Sequence, residues 1–343
     1  MIQDQSNRGL RMEVPDRDWL IPSATMTAGL GLAAVLLMPA AGYSDVPPYF
    51  SRFVTWMVYA FYAAAFLLCV HILKLWKAGV ASPASHLRAR FRETKIAAIV
   101  AIAGMALAGV DTLFFMWIKP EIAAVAPYWA DGVYADIDRA IFGMDPWRYF
   151  AGLDLTFHAW AYSFFWAVAL SLTLVWLLAQ RPSPERSCSL VSYFALWSIF
   201  GTIGQLLGSA AGPIFYRRIG LGDRFMELER NIPDITMKLS DYLWQLYSAR
   251  QPGVGAGISA MPSLHIATAA WIYLVFRGQR SRLAPAAALF ALYMFAMSVA
   301  LGWHYAVDGI VGAFGALAVH MSSRAYLRSR SRTALLLGPA PVR

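Results

Sequence analysis

Residues 288–319 read "ALFALYMFAMSVALGWHYAVDGIVGAFGALAV", thirty-two positions that carry one acid, Asp308, and no base. The segment "GWHY" at 302–305 divides this stretch into two apolar runs, 283–303 and 304–326, each near the roughly 20 residues that cross a bilayer as a helix. Six more runs of the same kind lie upstream, at about 22–42, 52–77, 95–118, 155–180, 189–211 and 262–277. The composition agrees: 59% of the 343 residues are hydrophobic and only 14% charged, outside the range of an ordinary soluble protein. The expectation is an all-α, polytopic membrane bundle of about eight transmembrane helices.

The basic residues orient it. With both termini inside, the inner segments hold nineteen of the 29 lysines and arginines, as the positive-inside rule requires. The net charge of +9 therefore reads as topology and contact with anionic lipid, not as a nucleic-acid footprint. The first twenty residues mix acids with bases and lack a small-residue cleavage site, so no removable signal peptide is expected. Cys69 lies within the second run and Cys188 at the inner end of the fifth, a poor arrangement for a disulfide. The expected location is a cytoplasmic membrane, with both termini cytoplasmic.

Two outer segments are long. Residues 119–154 mix aromatic residues, acids and two prolines, which suits interfacial helices. Residues 212–261 form the largest polar insertion and end in a Gly-rich approach to "AMPSLHIATAA". We expect residues 1–94 to be a cytoplasmic N-terminus with two accessory spans, 95–326 a catalytic membrane domain and 327–343 a basic cytoplasmic tail.

In "AMPSLHIATAA", Pro262 favours the first helical turn and Ser263 can cap it, which sets His265 among free backbone N–H groups. Such a helix end suits an anion; an ordinary cap with an interfacial histidine would look the same. In "GWHYAVDG", His304 and Asp308 stand four apart, so on a helix they share a face and can hydrogen-bond. A carboxylate on one ring nitrogen leaves the other basic, although a buried polar pair can also simply tie helices together. The topology puts His265 and His304 at the same outer end of two spans, and this favours a site.

"PSLH" at 262–265, followed about 40 residues later by "HYAVD" at 304–308, resembles the second and third motifs of the type 2 phosphatidic acid phosphatase superfamily. The fuller wording "GISAMPSLH", with "IDRAIFGMDP" at 137–146, is similar to the inositol phosphorylceramide synthase branch and its bacterial relatives. The resemblance bears on residues 130–315 and implies a six-helix catalytic core. It implies that His304 attacks phosphorus to form a phosphohistidine, that Asp308 orients and charge-balances it, and that His265 protonates the leaving oxygen and then activates the acceptor. Ser263 and nearby backbone donors would hold the phosphoryl oxygens.

The sequence departs from the superfamily pattern at its basic positions. Met297 and Ser298 stand where a Ser-Arg pair is usual, and the Arg-Pro at 181–182 falls on the cytoplasmic side with Leu174 at the companion Lys position. Arg217 and Arg218 are the local substitutes for phosphate binding, with interfacial anchoring as their other reading. Asp111, an acid within the third span, requires a function or a partner; it would bind an acceptor's hydroxyls or hydrogen-bond a neighbouring helix.

The expected activity is transfer of a phospho-head group, in the leading form phosphoinositol, from a phospholipid donor to a lipid acceptor such as ceramide or diacylglycerol. Hydrolysis of a lipid phosphate is the alternative within the superfamily; a lipid transporter or flippase is the alternative from another class. No metal and no organic cofactor is implied, because no clustered Cys, His and acid ligand set appears. The expected partners are the two lipids and the bilayer, with no nucleic acid and no identified protein.

Overall fold

The computed structural model describes residues 14–41, 50–251, 253 and 255–337. Among these the fold is all-helical, 78% helix and without strands. The chain begins with α1 (Val14–Ala41), α2 (Phe50–Lys77), the short α3 (Pro83–Glu93) and α4 (Lys95–Val125). After α5 (Asp131–Phe142) come α6 (Thr156–Leu178), α7 (Pro184–Ala195), a π-helical turn (Leu196–Gly201) and α8 (Thr202–Leu207). The long insertion after α8 holds α9 (Met226–Asn231) and α10 (Asp234–Ser248). The chain then returns through α11 (Leu264–Gly278), α12 (Ala284–Ala300) and α13 (Ala306–Leu337).

All eight expected runs are helical. Six segments are long and apolar enough to cross a membrane: Asp16–Pro39, Phe53–Lys77, Lys95–Val125, Thr156–Leu178, Pro184–Leu207 and Ala306–Arg330. The other two, α11 and α12, have only 15 and 17 residues. At 1.5 Å per residue they are about 22–26 Å long, short of the roughly 30 Å hydrocarbon core. Irregular backbone precedes α11, at 255–263, and follows α12, at 301–305. That backbone is tolerated because it is satisfied inside the protein: Ala260 N–H donates to the Ala210 carbonyl and Ile214 N–H to that of Gly302.

The bundle packs α11 against α12, α13 and α7, with α1 lying along α4 and α7, and α2 against α4 and α6. One apolar core fills it, with Trp19, Leu177, Tyr193 and Trp271 fully buried. A second core gathers around Trp147, Ile214, Leu228 and Tyr305. Polar bonds add register. The Arg186 guanidinium, itself buried, donates to Asp16 at 2.6 Å and to the Leu177 and Leu178 carbonyls, joining α1 to the α6–α7 corner. In hydrocarbon such bonds and close packing hold spans together, since burial from water adds nothing between them.

One boundary differs from expectation in a way that matters for function. The third span was expected to stop at 118, before "KPE", but α4 continues through Pro120 to Val125. Lys119 therefore sits on a helix within the bundle and not in an outer loop.

Candidate active site

Ser263 is the N-cap of α11: its hydroxyl accepts from the Ile266 N–H, and Pro262 stands before the cap rather than in the first turn. His265 follows in that turn, its ring stacked on Tyr162 with 5.0 Å between centroids and lying 4.3 Å from Trp166. The ring of His304, in the linker before α13, is 6.3 Å away, centroid to centroid. Two close approaches set this convergence. A Cβ on Gly312 would stand 2.6 Å from the Ser263 carbonyl oxygen, so only glycine lets α13 pass so near the start of α11. Gly212, at φ 103°, would put a Cβ 2.6 Å from the Trp303 carbonyl oxygen.

The hydrogen bonds of His304 fix its chemistry. Its Nδ1 lies 2.8 Å from the Ala260 carbonyl oxygen and 3.6 Å from Asp308 Oδ2. A carbonyl can only accept, so Nδ1 carries a proton, and in the neutral ring the lone pair is then on Nε2. Asp308 is beyond hydrogen-bond length from the ring. Its Oδ2 accepts the Tyr305 N–H at 2.9 Å, while Oδ1 is buried with no hydrogen-bond partner among the described residues. The carboxyl group therefore faces His304 without the ring hydrogen bond that the i, i+4 spacing suggested.

The α5 helix holds this linker in place. Asp138 accepts the N–H groups of Ala306 and Val307 at 2.6 and 2.9 Å, capping α13 from outside. Asp131 accepts those of Ala211 and Gly212, each at 2.8 Å, and the Tyr305 hydroxyl at 2.9 Å. Asp145 takes the Arg224 guanidinium, which also reaches Asp136. Burial pushes the Asp138 carboxyl up to about 6 against the pull of its two N–H donors. Here "IDRAIFGMDP" gains a physical reading: Asp138 accepts from the backbone of the site and Asp145 holds the Arg224 guanidinium.

A cavity of about 460 Å³ opens onto both histidines. Its wall includes Phe115 and Lys119 of α4, Trp166 of α6, and Trp197 and Gly201 of the π turn. Lys119 is the residue that sequence reasoning missed as part of a site. It lines the cavity together with His265 and His304, and it forms no ion pair among the described residues. A lysine so placed is ready for an anion. The only signal was "WIKPE" itself, where a Lys before Pro reads as the end of a span.

The remaining candidates lie elsewhere. Arg217 is more than half exposed and pairs with Asp223 at 3.2 Å; Arg218 pairs with Asp241 and the Ser240 carbonyl. Neither lines the cavity. Asp111 is fully buried and not part of the cavity wall, accepting the Thr27 hydroxyl at 2.8 Å and the Ser198 hydroxyl at 2.6 Å. It thus ties α1, α4 and the π turn together.

Residues 153–322 match the sequence model of the PAP2 superfamily, a segment just under half the chain that contains Ser263, His265, His304 and Asp308. No curated protein and no solved structure matches the chain significantly. The match supports PAP2 superfamily membership, and with it an enzyme that acts on phosphate esters of lipids, of phosphatase or phosphotransferase type. Several apolar helices agree with a multi-pass membrane protein.

Proposed function

We propose that the protein is a lipid phosphotransferase that moves a phospho-head group, of the phosphoinositol kind, from a phospholipid to a lipid hydroxyl such as that of ceramide or diacylglycerol. The observation that carries this reading is the Nδ1–H to Ala260 hydrogen bond, which leaves Nε2 of His304 free beside His265 in a cavity shared with Lys119. Nε2 attacks phosphorus as the bond from phosphorus to the diacylglycerol oxygen breaks, and protonated His265 delivers its proton to that oxygen. The acceptor hydroxyl then gives its proton to His265 and its oxygen attacks phosphorus, releasing His304. Asp308 offsets the positive charge that His304 gains on phosphorylation; Lys119 and the backbone donors after Ser263 offset the charge on the phosphoryl oxygens.

This assigns phosphate binding to Lys119 in place of Arg217 and Arg218. It also supports a catalytic unit that begins at 95, since Lys119 lies in α4, ahead of the matched segment. The proposed setting is a cytoplasmic membrane with the termini inside and the site at the outer face. Phe115, Trp166 and Trp197 in the cavity wall favour a lipid hydroxyl over water as acceptor.

The test supplies purified protein in detergent with a phospholipid labelled in its head group, with and without ceramide or diacylglycerol. Label passing to a new lipid supports transfer. Release of free phosphate or phosphorylated head group makes the protein a hydrolase of the same site. No turnover under any of these conditions returns the transporter reading.

A further inference from the structure

Most of the cavity's lining is buried or half-buried, and four lining residues are exposed: Thr55 and Tyr59 of α2, Ser163 of α6 and Leu239 of α10. These four mark where the cavity opens. The helix faces on either side of the opening are apolar and exposed, with Val58 and Tyr62 on α2 and Phe164 on α6. Surfaces of that kind on a membrane-length helix face hydrocarbon. The opening therefore leads sideways into the bilayer, between α2 and α6, with the amphipathic α10 beside it.

The size of the cavity points the same way. About 460 Å³ is the volume of a site for a drug-sized ligand. It accommodates a phosphate, its head group and the first carbons of a chain, so the rest of a long-chain lipid has to leave through the opening. We propose that the cleft between α2 and α6 is a binding site for the hydrocarbon chain of the lipid substrate, and that Tyr59, Ser163 and Leu239 set which chains fit. This rests on the phosphotransfer reading for the head-group end. It also gives a role to α2, which lies outside the segment that matches the superfamily.

Two measurements test it. In nanodiscs, phosphatidic acid bearing a diazirine in the middle of one acyl chain should label peptides of α2 and α6 saturably, and excess unmodified phosphatidic acid should compete the labelling away. Ser163→Trp, which narrows the opening, should abolish that labelling. In kinetics with dioleoyl and dihexanoyl forms of one head group, Ser163→Trp should lower kcat/KM by about tenfold or more for the long-chain form and by less than about threefold for the short. An equal fall for both chain lengths, or no fall in either, overturns the chain site, as does saturable labelling confined to other helices. Saturable labelling of α2 and α6 by a protein that turns over neither substrate leaves the chain site standing and overturns the phosphotransfer reading instead.

Discussion

His304 shows how much of the chemistry was written in residue types and how much in backbone position. The "PSLH" and "HYAVD" spacings were enough to find His265, His304 and Asp308. They could not show that the Ala260 carbonyl, a group every residue possesses, takes the Nδ1 proton. In a triad whose carboxylate fixes the tautomer, changing it to an amide costs about 10⁴ in turnover. Here Ala260 holds the tautomer, so Asp308→Asn removes only the charge opposite the ring. We expect a smaller loss, about 10²–10³-fold in kcat, with KM little changed; a loss as large as that of His304→Ala would mean that Asp308 orients the ring after all. Lys119→Met should lower kcat/KM by roughly 10²–10³-fold, the usual cost of one donor to a developing oxyanion, while Arg217→Gln should leave it within about threefold. Lys119 was hidden because a Lys-Pro pair reads as the end of a span, and only the continuation of α4 through Pro120 brings it to the cavity.

At the scale of elements, the length of the uncharged apolar runs located all eight, because hydrocarbon-facing and core-facing positions both demand apolar residues. It overstated the reach of α11 at its start and of α12 at its end, where irregular backbone lines the cavity. It also gave no role to α5 beyond the interface. Asp131 and Asp138 reach 80 or more positions along the chain to bond Ala211, Gly212, Ala306 and Val307. No local pattern encodes contacts of that range. Burial raises the Asp138 carboxyl from 3.8 to about 6. Because the folded state then holds its proton more tightly than the unfolded chain, the contribution of Asp138 to stability is full below about pH 4 and is lost as pH rises through 6. Thermal unfolding in detergent across pH 4–7 should show this slope, and Asp138→Asn should flatten it. An unchanged slope in the variant would place the titration on another group.

For the whole molecule, the two N-terminal helices are tied in and not merely adjacent. The pair Arg186–Asp16 is buried on both sides, 3% and 6% exposed, and it fastens α1 to the corner between α6 and α7. Asp16→Ala leaves a buried guanidinium without its counter-charge and should cost about 3–5 kcal/mol of stability; a loss below about 1 kcal/mol in thermal or denaturant unfolding would mean that the pair is solvated. Neither this pairing nor the shared cavity could be read from the chain, since charge patterning orders loops by side and says nothing of which helices meet. The claim on which the whole account depends is that phosphorus becomes bonded to Nε2 of His304. The direct measurement is to give the protein a phosphorus-labelled phospholipid and to map acid-labile label on it. With a phosphorus-labelled substrate whose nitrophenol leaving group departs without a proton from His265, label should accumulate on His304 in the His265→Ala variant, where nothing remains to activate the acceptor, and should be absent from His304→Ala. Label on His265 in the His304→Ala variant, or turnover that survives in His304→Ala, would contradict it.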